Sequence, residues 1–494
     1  MNSIRQLAGQ TAIYGLSSIM GRLLNYLLVP LYTRVFTPDQ YGVVTEMYAY
    51  VAFLVVILTY GMETALFRFS SESNNKKIIF STALITLFCT TISFVFLAFV
   101  FSIPVANWLG YPNHTEYVIW FAIIVGMDAM IAIPMAKLRE MNKAKLFTSI
   151  NLINIFVNIG LNLFFLVYCN SQYQQYGKDS NWLVNTFYNP EVGVGYVFIS
   201  NLIASAVKAG LLIPSMLHTP LKYDTVLFKK MILYALPLLL VGLAGIINET
   251  LDRILIKRLL IDQLGEKNTM AQLGIYGACY KISIIISIFI QAFRYAAEPF
   301  FFSMHKKENA KKVYSEVMNY FVITCSAIFL GIMVYIDYVM LFVGKDFRQG
   351  VKVVPILLMA NLCLGIYFNL SIWYKLTGKT RYGAYIAITG AVITIVLNFI
   401  CIPKFSYFGS ACTTLICYFT MAAISYLYSQ KYYPVNYNLK KLFGYPLLVL
   451  FLYNLSILIS SAHQPYKLYI NTLILLAFIG FVILIEKPKA IKTI

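Results

Sequence analysis

The sequence predicts an all-α integral membrane protein of about fourteen transmembrane helices. Three observations carry this prediction. Of the 494 residues, 60% are hydrophobic and only 12% are charged. The mean hydropathy is +0.72. Apolar windows of roughly 20 residues, the length that crosses about 30 Å of hydrocarbon, recur along the whole chain with short polar breaks. A soluble domain carries about twice this share of charge.

In chain order the spans fall near 9–32, 41–67, 78–103, 116–136, 147–169, 194–214 and 231–256, then near 270–299, 316–340, 353–373, 382–402, 405–429, 443–461 and 466–486. The opening "MNSIRQLAGQ" lacks the basic region, short apolar core and cleavage site of a removable signal, so span 1 is expected to stay in the mature protein. The formal net charge of +19 could suggest nucleic acid, but its lysines and arginines are scattered through short loops. That scatter is how membrane topology is written, and it argues for no nucleic-acid partner. With the N-terminus inside, cytoplasmic segments hold 23 of the 39 basic residues and outer segments 11, which places both termini in the cytoplasm. The eight cysteines lie almost all within apolar runs without a CxxC pair, and the four histidines sit in separate loops, so no metal site is expected. The "GKT" at 378–380 lacks the P-loop glycine, because Trp373 occupies its place.

The chain also repeats itself. "DQYGVV" after span 1 and "AQLGIYG" after span 7 open long spans, and the steps from Gly42 to Phe69 and from Gly274 to Phe301 are equal. "LREMNKAKLF" from Leu138 and "LTGKTRYGAY" from Leu376 each link the fourth and fifth spans of a half. Spans 1–6 and 7–12 therefore read as a parallel repeat with two spans added. The expected divisions are 1–220, 221–435 and 436–494.

Four stretches carry a resemblance: "LVPLYTRVFTPDQYGVV", "ALPLLLVGLAGIINETLDRILI", "GIYGACYKIS" and "LTGKTRYGAY" with "LNFICIPKFSYFGSA". They are similar to the bacterial polysaccharide flippases of the multidrug/oligosaccharidyl-lipid/polysaccharide exporter superfamily, over essentially the whole chain. The resemblance implies two pseudo-symmetric six-helix bundles around a central cavity, plus two C-terminal helices. It also implies an activity: moving undecaprenyl-diphosphate-linked oligosaccharide from the cytoplasmic to the outer leaflet of the inner membrane, for O-antigen or lipopolysaccharide assembly. No cofactor is implied beyond coupling to Na⁺ or H⁺. The implied partners are the lipid-linked glycan, membrane lipids, a polysaccharide polymerase and a chain-length regulator, the transporter itself being a monomer.

A charge buried in hydrocarbon costs several kcal/mol, so each must face a cavity, a partner or the interface. Arg22, near the middle of span 1 with Asn25 on its side, either faces a cavity or pairs with Asp128 of span 4. Span 2 carries Glu63. Span 5 bears Asn151, Asn154, Asn158 and Asn162 on one stripe, either interhelical glue or partners for sugar hydroxyls. In span 7, Glu249, Arg253 and Lys257 are spaced i, i+4, i+8 beside Asp252. That stripe is either an internal Glu249–Arg253 pair or the outer half of a hydrophilic path. Span 8 places Gln291, Arg294 and Glu298 on one stripe, with Lys281 about 220° around a straight helix from Arg294. Within the resemblance, Arg22, Arg294, Arg253, Lys281, Asn25, Asn154, Asn158 and Gln291 are the substrate-binding candidates. Glu249, Asp252, Asp128, Glu63 and Glu298 are the candidates for ion coupling. Guanidinium groups suit a diphosphate because they stay protonated and bind two oxygens at once.

Lipid II shares that diphosphate, so its export is a rival reading. A drug exporter calls for an acid-rich cavity instead. A membrane polymerase or glycosyltransferase needs a large outer loop for its catalytic groups, and the longest outer break, about 170–193, holds only Asp179 and Glu191 as acids. No enzyme is expected.

Overall fold

A computed structural model describes residues 19–21, 23–24, 26–72, 75–177, 181–217, 221–305, 307–462 and 466–486. Twelve of its helices are long and apolar enough to cross a membrane. The helix Arg381–Tyr432, 52 residues long, covers predicted spans 11 and 12. Predicted spans 2 to 14 thus all fall on these helices, while most of span 1 lies outside the described residues. The protein is a multi-pass membrane protein.

Several spans are shaped by local chemistry that hydropathy does not record. Span 2 starts at Pro38, where Gln40 Oε1 accepts the backbone N–H of Thr37 at 3.2 Å. This pairs the helix start in the manner of a capping box. The same span breaks into Pro38–Thr59 and Met62–Glu72, because Tyr60 (φ 31°) and Gly61 (φ 75°) leave the right-handed region. Span 5, Ala144–Leu163, continues through a π-helical turn, Phe164–Cys169, into Asn170–Tyr176. Spans 11 and 12 meet at a corner where Ser406 has φ 53° and ψ −142°. A Cβ at Gly409 would come 2.5 Å from the carbonyl oxygen of Cys401, so only glycine lets that corner close.

The chain divides into two compact units, one of residues 1–257 with 266–274, the other of 258–265 with 275–494. The core of the first unit joins spans 2, 3, 4 and 7: Tyr60, Met62, Ala65 and Leu66 pack with Ile79, Phe80, Ala83, Leu87, Ile133, Ala136, Met231 and Ala235. Within this unit the repeat-related glycines 42 and 274 back onto each other's helices. A Cβ on Gly42 would sit 2.2 Å from the Met270 carbonyl oxygen, and one on Gly274 would sit 1.9 Å from that of Pro38. In the second unit span 10 packs chiefly along spans 11 and 12, around Ala360, Tyr367, Ile386, Cys417, Tyr418 and Met421. Spans 13 and 14 pack on span 9: Asn471 donates to the Val334 carbonyl at 2.5 Å and accepts from Ser456 at 2.7 Å.

Candidate functional site

Span 8 runs as one helix, Glu266–Met304, and carries Arg294 and Glu298 one turn apart. Opposite them, span 10 ends in the short helix Ile372–Leu376, which brings in Lys375. Lys375 Nζ donates to Glu298 Oε1 at 2.6 Å, while Arg294 Nη2 stands 3.7 Å from the same oxygen. The Arg294 guanidinium lies 4.0 Å over the ring of Phe368, a cation–π contact that fixes its plane without using its donors. It donates no hydrogen bond to any described residue, and its side chain is 38% exposed. Two cations therefore share one carboxylate, and the guanidinium is the one left with free N–H groups. The crevice they line with Phe293, Asn369 and Ser371 holds about 10 Å³, room for no more than a water. An anion the size of phosphate does not fit beside the closed Glu298–Lys375 contact. Gln291 and Lys281 are both half-buried on the same helix.

The first unit contains a related arrangement. Glu63, on the second segment of span 2, accepts from Arg139 Nη2 at the end of span 4. Both halves of the repeat thus join their second and fourth spans by an ion pair, at positions within one helical turn of equivalence.

The other sequence candidates fall elsewhere in this unit. Arg22 and Asn25 lie outside the described residues. Asp128 accepts from Ser205 Oγ at 3.2 Å and lies within electrostatic reach of Lys208, so it has partners within its own unit. The asparagine stripe is glue at one end. Asn162 accepts from Tyr32 Oη at 3.0 Å and donates to the Asn158 carbonyl at 2.8 Å, tying span 5 to the end of span 1. Asn154 is half-buried.

The span 7 stripe separates into different environments. Glu249 is exposed, and it is its backbone carbonyl that accepts from Arg253 Nη1, at 2.7 Å. The carboxylate beside Arg253 is buried Asp252, at 3.8 Å. Lys257, at 1% exposure, turns inward to Glu46 of span 2, at 0%. Its Nζ donates to Glu46 Oε2 at 2.9 Å and to the Leu109 carbonyl at 2.6 Å, and lies 3.9 Å over the ring of Tyr111. The Tyr111 hydroxyl donates to the same Glu46 oxygen. Burial and the Glu46 carboxylate push the Tyr111 phenol far up, which keeps it a donor. A fully buried lysine needs a carboxylate and further acceptors, and this cluster supplies them. Lys257 is a structural tie.

A groove of about 440 Å³ lies between spans 3 and 4, lined by Ile92, Val95, Phe96, Phe99, Ile119 and Met127 among others. It carries no ionisable side chain and suits hydrocarbon, not a diphosphate.

Sequence reasoning passed over Glu46, Tyr111 and Phe368, and it read Arg139 and Lys375 only as loop charges that set topology. Glu46 did leave a signal, a carboxylate inside the apolar window 41–67.

A family model described as "Polysaccharide biosynthesis protein" matches residues 7–305. The chain belongs to the polysaccharide biosynthesis protein family. No curated protein matches it. Among solved structures, this family member is similar to a lipid II flippase MurJ in an inward closed conformation, with a TM-score of 0.70 and 14% identity over 95% of this chain and 98% of that one. It is also similar to an inward-facing multidrug resistance MATE transporter of the MOP superfamily, with a TM-score of 0.66 and 13% identity over 85% of this chain and 97% of that one. At these identities the likeness establishes a shared fold.

Proposed function

We propose that this protein is a flippase that carries undecaprenyl-diphosphate-linked oligosaccharide units from the cytoplasmic to the outer leaflet of the bacterial inner membrane by alternating access, for surface polysaccharide assembly. The observation that carries the reading is Arg294: a guanidinium seated on Phe368, its N–H groups uncommitted, beside a carboxylate held mainly by Lys375. A diphosphate offers this pair what Glu298 gives it now, with more oxygens and more charge. Displacing Glu298 frees Lys375 and lets Arg294 bind two phosphate oxygens side by side. The carboxylate keeps the cations paired while no substrate is present and competes for them when it must leave. The headgroup crosses by a polar route while the prenyl chain stays in lipid. The family assignment supports polysaccharide assembly as the setting, and the fold supports transport over glycosyl chemistry.

The test is deletion of the gene followed by mass spectrometry of inner-leaflet lipids, complemented with Arg294→Ala and Arg294→Lys. Accumulation of a lipid-linked oligosaccharide, restored to normal by wild type but not by Arg294→Ala at equal protein abundance, is the expected result. Lysine restores little if two-oxygen binding matters. Accumulation of lipid II instead would assign the protein to cell-wall precursor export. Normal surface glycan in the alanine variant would remove Arg294 from the path.

A further inference from the structure

We infer that Arg139 forms a second phosphate-binding seat, within the first unit, which Glu63 occupies until a diphosphate replaces it. The inference rests on the flippase reading for its physiological ligand, but its geometry stands alone.

The Arg139 guanidinium is a planar fork used on one side only. Nη2 donates to Glu63, while Nε is buried and has no hydrogen-bond partner among the described residues. An orphaned buried donor costs free energy, so its presence on a half-exposed side chain marks a place for an acceptor. Two adjacent oxygens of a phosphate satisfy Nε and Nη2 together, a side-on geometry that one glutamate oxygen at Nη2 does not supply. The plane of the fork is held by rings on two other segments, Phe67 at 5.1 Å and Phe147 at 5.9 Å, as Phe368 holds Arg294.

The surroundings favour an anion. Lys137 neighbours Lys77, Lys143 and Glu140 electrostatically, and Lys76 pairs with Glu140 at 2.9 Å, so bases outnumber acids around the end of span 4. The repeat then gives each half one guanidinium on an aromatic shelf with one glutamate as a removable occupant: Arg139 with Glu63, and Arg294 with Glu298. A purely structural salt bridge between spans 2 and 4 would gain nothing from leaving Nε unfilled.

The experiment is calorimetric titration of the full-length protein in nanodiscs with inorganic pyrophosphate. Two sites are expected in wild type, one in Arg139→Ala, one in Arg294→Ala and none in the double variant. Arg139→Lys, which keeps the charge and the fold but not the fork, should weaken the first-unit site about tenfold, about 1.4 kcal/mol. Glu63→Gln removes the competing negative charge and should tighten that site. Farnesyl diphosphate should displace pyrophosphate from it, whereas phosphatidylglycerol vesicles should not; displacement by the vesicles would make it a phospholipid headgroup site and overturn the proposal. Unchanged stoichiometry in Arg139→Ala, or unchanged affinity in both Arg139→Lys and Glu63→Gln, would also overturn it. Should the flippase reading fail, no lipid-linked glycan accumulates on deletion while these binding results persist; should the seat fail, accumulation is seen and the binding differences are not.

Discussion

Removing the Lys257 ammonium while leaving Glu46 in place tests how the first unit holds span 7. In Lys257→Met the Glu46 carboxylate keeps only the Tyr111 hydroxyl of its two donors above, and the Leu109 carbonyl loses the Nζ donor, all at positions shielded from water. Breaking one side of a buried ion pair costs about 3–5 kcal/mol, most of it the stranded charge. Glu46→Gln alone strands Lys257 in the same way and should cost a similar amount. The double variant Glu46→Gln/Lys257→Met removes both charges but leaves Tyr111 an acceptor, so it should recover to within about 1–2 kcal/mol of wild type, an orphaned carbonyl accounting for the remainder. Thermal melting of the full-length proteins in nanodiscs, ranked as a double-mutant cycle, reads the coupling directly. Costs that simply add, or a Lys257→Met protein as stable as wild type, would show that the cluster is not an energetic unit.

Two further predictions concern charge. Asp128 is half-buried with Ser205 as its hydrogen-bond donor, and if it couples transport to an ion gradient, Asp128→Asn should leave pyrophosphate binding intact while uncoupler or sodium depletion no longer changes glycan translocation in inverted vesicles. Persisting gradient dependence would return the coupling role to the other acids. Just beyond the crossing helix Lys467–Ile485, burial alone would raise the pKa of Glu486, but hydrogen bonds from Lys441 at 2.7 Å and Tyr445 at 2.7 Å pull its carboxyl below the usual range. A lowered folded-state pKa stabilises above the unfolded value and loses that contribution as pH falls through the folded one. Melting temperature should therefore drop on acidification by less in Glu486→Gln than in wild type, and equal acid sensitivity would show that this group does not contribute.

The spans were legible because crossing hydrocarbon sets a one-dimensional criterion, about 20 apolar residues, that each window meets alone. The breaks were not. Nothing in the hydropathy of "LTYGMETALF" shows that Tyr60 takes φ 31°, and "PKFSYFG" hides a corner at Ser406 inside a run that reads as two spans with a short join. Charged residues were legible as burdens needing an explanation, but their partners were not. Glu63 and Arg139 are 76 residues apart, Glu298 and Lys375 are 77, and Glu46 and Lys257 are 211. Helical spacing rules pair residues three or four apart, so they proposed Glu249 for Arg253 and could not reach Glu46 for Lys257. The asparagine stripe shows the same limit: its face was visible, while Tyr32, the hydroxyl across it, belongs to another span 130 residues away.

The contact between glycines 42 and 274 has a bearing on how any mutational scan of this protein is interpreted. Each leaves less than one methyl group of space before the main chain of the other's helix. Every amino-acid substitution at either position should therefore score as a loss, whatever the cargo. Such losses report a steric fit between duplicated segments, and scans that seek substrate contacts should set these two positions aside as controls for assembly.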